Sequence, residues 1–82
     1  MSFSNAVSTF KEAIEGVAEK RGDYLVELDF AANDVDEYLI LRGGNEELSA
    51  ELTAAVEAVE NRQGDWLYML ESVAEKVELL VS

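Results

Sequence analysis

The chain contains no cysteine and no histidine, and only 6 Lys and Arg among its 82 residues. Without Cys there is no disulfide, thiol nucleophile or iron–sulfur centre; without His there is no imidazole base and no zinc finger. Proline is also absent. No segment approaches the ~20 apolar residues that a membrane span needs. The opening residues carry no basic run ahead of an apolar stretch, so no secretory signal is expected. The expected location is the cytoplasm, a host's cytoplasm if the chain is viral. The few bases stand against 18 Asp and Glu, for a net charge of −12. Phosphates would be repelled, which argues against direct binding of nucleic acid or of an anionic membrane.

What the chain does have is enough to fold. Hydrophobic residues make up 49% of it, including three Phe, three Tyr and one Trp, so the acidity does not imply disorder. The length suits one compact domain, 1–82. A chain this short buries only ~60% of its unfolded surface, and packing alone must hold it together.

Phe3, Val7, Phe10, Ile14 and Val17 recur at spacings of four and three, the signature of one helical face. This predicts a helix over 4–21, capped by Ser2 or Ser4, with Lys20 and Arg21 in its last turn and Gly22 as a left-handed stop. Asn45 is placed to cap another helix, with Glu46 and Glu47 in the dipole-favoured first turn. Its apolar stripe is Leu48, Leu52, Ala55, Val56 and Val59, ending near Arg62 and Gln63. Gly64 ends it and Asp65 caps a last helix, on which Trp66, Met69, Leu70, Val73, Val77, Leu80 and Val81 face one way. Leu67, Tyr68 and Leu79 lie off that stripe and are the candidate surface for a partner chain.

Residues 24–42 carry two patterns. Tyr24, Val26, Leu28 and Phe30 alternate with Glu27 and Asp29, as in a half-buried strand, and Tyr38 to Leu41 is a short apolar run. Ala31 to Asp34 can turn the chain between them. The competing pattern is helical: Leu25, Leu28, Ala32, Val35 and Leu39. Asn33, Asp34 and Asp36 would weaken a helix by competing for backbone groups. The expected fold is therefore α+β, in the order α-β-β-α-α, with a two-stranded antiparallel hairpin packed on helices. An internal echo keeps an all-α alternative open. A shift of 42 residues matches Ala13/Ala55, Val17/Val59, Gly22/Gly64, Asp23/Asp65, Leu28/Leu70 and Val35/Val77. That would make a four-helix bundle from a duplicated helical hairpin, although two amphipathic helices in register share such matches by chance.

The charge is uneven. Lys11, Lys20 and Arg21 balance Glu12, Glu15 and Glu19, so the whole −12 falls within 23–82. Glu47/Glu51 and Glu57/Glu60 are like-charged helical neighbours, each pair costing about 0.2–0.5 kcal/mol on an isolated helix. With 18 acids in so short a chain, pairs at glycosidase-like spacing arise by chance, and no catalytic residue is expected. The run Asn33-Asp34-Val35-Asp36-Glu37 lacks the fifth ligand and Gly of a calcium loop, since its fifth position after Asn33 is Tyr38. No metal and no cofactor is expected. Size and acidity suggest an acyl carrier protein, but the Asp-Ser pair that carries the prosthetic group in that family does not occur here.

By elimination the expected function is binding another protein. In size, charge and lack of catalytic groups the chain resembles the small inhibitors of phage and mobile elements, anti-CRISPR proteins and DNA mimics among them, though it carries no motif of any one family. The expected partner is a basic protein, such as a nucleic-acid-binding protein or complex. Asp34, Asp36, Glu37, Glu46, Glu47, Glu51 and Glu57 are the candidate contact face, acting by electrostatic steering and then steric occlusion. The alternative is a structural or adaptor subunit, a virion component or assembly chaperone, forming a homodimer or larger homo-oligomer through Leu67, Tyr68 and Leu79 of the last helix.

Overall fold

The structure, a computed structural model, describes residues 3–43 and 45–81, Arg42 by its backbone alone. Four helices follow one another: α1 (Phe3–Glu19), α2 (Tyr24–Tyr38), α3 (Glu46–Asn61) and α4 (Trp66–Val81). The last turn of α2 widens into a π-helical segment, Leu39–Gly43, and the amide of Asn45 donates to the carbonyl of Leu39 at 2.8 Å. The short connections make chain neighbours antiparallel. Each helix packs on two others, in the cyclic order α1, α2, α3, α4, giving a bundle of 30 × 23 × 18 Å.

The described residues contain no strand, which overturns the α+β expectation and leaves the four-helix alternative. The reason lies in which residues of 24–38 face inward. Leu28, Ala31, Ala32, Val35 and Leu39 are buried, all on one helical face. Val26 and Phe30, which supplied the strand-like alternation, are exposed, so the period of two did not mark a core. Asn33 and Asp34 also point outward. On that side their propensity penalty is a few tenths of a kcal/mol per residue, small beside burying five apolar side chains.

The internal echo is structural. Ala6/Leu48, Phe10/Leu52, Ile14/Val56, Val17/Val59, Leu28/Leu70, Ala31/Val73, Ala32/Ala74 and Val35/Val77 are pairs 42 residues apart in which both members are buried. The turns repeat as well. Lys20 adopts φ +55° and Arg62 φ +52°. After α1, the amide of Lys20 bonds to the carbonyl of Val17 (3.2 Å) and that of Arg21 to Gly16 (2.9 Å). After α3, Arg62 bonds to Val59 (3.2 Å) and Gln63 to Ala58 (2.9 Å). This is the paired bonding of a Schellman motif. Lys20 and Arg62, rather than Gly22 and Gly64, are the left-handed residues that end the helices. The two glycines, at φ +55° and +61°, turn the chain into the next helix. Lys20 and Arg21 thus lie beyond α1, and Ser4 lies inside it; Ser2 falls outside the described residues. Asn45 caps α3 as expected, its side-chain oxygen accepting from the amide of Leu48 at 3.1 Å. Asp23 makes no such side-chain bond.

Candidate functional site

A ring of four helices leaves four grooves, and the carboxylates are distributed along all of them. Between α2 and α3, Asp29, Asp36, Glu57 and Glu60 surround a shallow groove of about 170 Å³ floored by Ala32, Leu52 and Val56. No Lys or Arg is among its described lining residues. Ser49 donates its hydroxyl to the Asp36 carboxylate, tying α3 to α2 at one end. The opposite groove, between α1 and α4, is its counterpart by the 42-residue shift. Glu71 corresponds to Asp29, Glu75 to Asn33, Glu78 to Asp36 and Glu15 to Glu57. There Lys11 replaces Thr53 and pairs with Glu78 at 2.5 Å, so this face is partly neutralised.

The other two grooves run within the hairpins. Between α3 and α4, Lys76 donates to both oxygens of Glu51, at 2.9 and 3.1 Å. That hydrogen bond, followed by the charge of Glu51, holds the Lys76 amine above its usual range. Glu47, Leu79 and Leu80 complete that groove. Between α1 and α2 the groove is larger, about 500 Å³, with Glu12, Glu27 and Asp34 around Ala13, Gly16, Phe30 and Ala31. Arg21 closes one end, and its guanidinium pairs with Glu19 at 2.6 Å.

The seven acids expected to form one face are thus divided. Asp36 and Glu57 share the α2–α3 groove, Asp34 lies in the α1–α2 groove, and Glu47 and Glu51 line the α3–α4 groove. Glu37 and Glu46 are exposed, the latter in the first turn of α3. Sequence reasoning left out Asp29 and Glu60, which join Asp36 and Glu57 only because α2 and α3 pack side by side. Their spacing bears on nucleic-acid mimicry. Asp29 to Asp36 spans about 10 Å at ~1.5 Å rise per residue. Ser49 on the antiparallel α3 meets Asp36, so Glu57 and Glu60 lie about 12 and 16 Å along the groove from that level. The four carboxylates spread over about 16 Å, one per roughly 5 Å, sparser than the ~3.4 Å phosphate spacing of a single strand. Along α3 alone the acids from Glu46 to Glu60 come about one per 5 Å.

On α4, Leu67 is half-buried against the core, while Tyr68 and Leu79 are exposed. Eleven residues, about 16 Å, separate the last two, with Ser72 and Glu75 on the same stripe between them. The broader apolar exposure is at one end of the bundle, where the π-helical segment and the end of α4 present Ile40, Leu41, Leu79, Leu80 and Val81. Among the described residues no cluster of acids is arranged to hold a metal ion, and no helix is long and apolar enough to cross a membrane. Protein-family models, curated proteins and solved structures give no match to this chain.

Proposed function

We propose that this protein acts by binding a basic protein and covering the surface with which that partner holds nucleic acid, as a small inhibitor would. The observation that carries the reading is the α2–α3 groove, where Asp29, Asp36, Glu57 and Glu60 from two helices line one surface with no Lys or Arg among its described residues. An excess of −12 raises the encounter rate with a cationic surface, and ordered carboxylates then compete with phosphates for the same Lys and Arg. Helices hold these groups in place, so little side-chain order is lost on binding beyond that of the carboxylates themselves.

The test is salt-graded co-purification from the source lysate, with the bound protein identified and its nucleic-acid affinity measured. The wild type should retain a basic protein at low salt and block its nucleic-acid binding. The double variant Asp29→Lys/Glu57→Lys should lose it, while Glu47→Lys, in a different groove, should lose much less. Retention by the double variant, or a partner that binds nucleic acid unhindered in the complex, overturns the reading. A second reading, an adaptor or structural subunit, is supported by the apolar end at Leu41, Leu79 and Leu80. It requires a mass above the monomer at micromolar concentration that falls to the monomer in Leu79→Lys.

A further inference from the structure

We infer that the outer face of α2, anchored by Phe30 and Val26, docks a cationic amphipathic helix of the protein partner. The inference rests on the basic-partner reading above and adds what anchors the contact. Phe30 is 69% exposed and Val26, one turn earlier, 54% exposed. α2 carries Glu27, Asp29, Asp34, Asp36 and Glu37 and no Lys or Arg, and Arg21, at the end of the groove beside Phe30, is already paired with Glu19. An apolar centre with a polar rim is the usual anatomy of a protein interface, and a rim of one sign selects a partner of the other. A second copy of this chain, also at −12, is disfavoured by the same charges.

The groove beside Phe30 points the same way. It has a floor of small residues, Ala13, Gly16 and Ala31. A Cβ added at Gly16 would meet nothing within 4 Å, so no close helix approach requires glycine there. Glycine inside a helix is nonetheless unfavourable relative to alanine. The second hairpin shows what packing alone asks for at the same places. It has Ala58 for Gly16, Val73 for Ala31, Met69 for Glu27, Ser72 for Phe30 and Lys76 for Asp34. The first hairpin thus departs from its repeat by opening the groove, making it acidic and placing a phenyl ring at its edge. A groove between two helices accepts a third helix by side-chain interdigitation. The incoming apolar residue would meet Phe30 and the groove floor, and its flanking Lys or Arg would reach Glu12, Glu27 and Asp34.

The probe is a synthetic helical Leu/Lys peptide with Leu at three- and four-residue spacing, compared with an Ala/Lys peptide of equal charge. Binding is read from amide chemical shifts of the isotopically labelled protein. The Leu/Lys peptide should shift the amides around Gly16, Val26 and Phe30, and should bind about tenfold or more tightly than the Ala/Lys peptide. Phe30→Ala, whose exposed side chain leaves the fold intact by circular dichroism, should remove most of that difference, and Phe30→Leu should restore part of it. Equal binding of the two peptides, shifts centred on the α2–α3 groove and no effect of Phe30→Ala would refute the anchor while leaving the acidic reading standing. No binding of either peptide at low salt would sink both. Shifts at Phe30 that grow with the protein's own concentration, without peptide, would assign the face to a second copy and overturn the proposal.

Discussion

Gly16 and Gly22 offer a controlled comparison, because an added Cβ meets nothing within 4 Å at either position, yet their backbones differ. Gly16 lies in the interior of α1, whereas Gly22 has φ +55°. Replacing Gly16 by Ala restricts the unfolded chain without a native clash, and should stabilise the protein by about 0.5–1 kcal/mol. For a domain of this size that raises the unfolding midpoint by about 2–8 °C. The same substitution at Gly22 forces an L residue into left-handed geometry and should destabilise by about 1 kcal/mol. Thermal and urea unfolding followed by helical circular dichroism, with unchanged urea dependence in both variants, reads the two effects. A Gly16→Ala protein no more stable than the wild type would mean the groove floor is closed, removing one support for a docked helix. A neutral Gly22→Ala would mean that the turn after α1 is not left-handed at that residue.

Lys20 and Arg62 are non-glycine residues at φ +55° and +52°, so Lys20→Gly should stabilise by about 0.5–1 kcal/mol, measured by the same unfolding curves. Arg62→Gly should gain less, because it also removes the hydrogen bond that the Arg62 guanidinium donates to the Tyr24 hydroxyl. Loss of the Asn45 cap in Asn45→Ala should cost about 1 kcal/mol, and Asn45→Asp should retain most of it. Lys76 has a raised pKa, so its pairing contributes stability that is fully present below the ordinary lysine value of 10.5. That contribution is lost as pH rises through the higher folded value; a lysine side-chain NMR titration should place Lys76 above the ordinary lysine value of 10.5, and Glu51→Gln should lower it.

Much of the scaffold could be read along the chain. The stripes of α1 and α3, the cap at Asn45 and the glycine-containing turns are consequences of spacing and of local backbone chemistry. The stretch 24–38 could not be read this way, because Val26 and Phe30 are apolar side chains that the core does not use. Counting them as core gives a period of two; setting them aside leaves the helical face of Leu28, Ala31, Ala32 and Val35. A surface that keeps apolar groups exposed blurs the pattern from which secondary structure is inferred. Two signals in the sequence did point to the helix: the 42-residue echo, and the helical spacing of Leu28, Ala32, Val35 and Leu39.

What the sequence determined by itself was the sign and size of the charge, the absence of thiol and imidazole chemistry, and most of the helix-forming stripes. These depend on composition and on neighbours within a turn or two. Which carboxylates share a groove was decided only by tertiary packing. Asp29 and Glu60 are distant along the chain, and come together because α2 and α3 lie side by side. Lys76 neutralises Glu51 because α4 lies against α3. Phe30 and Gly16, on different helices, line one open groove because α2 lies against α1. Charge is additive along a chain, but an electrostatic surface depends on distances between side chains, and those are set by how the helices pack.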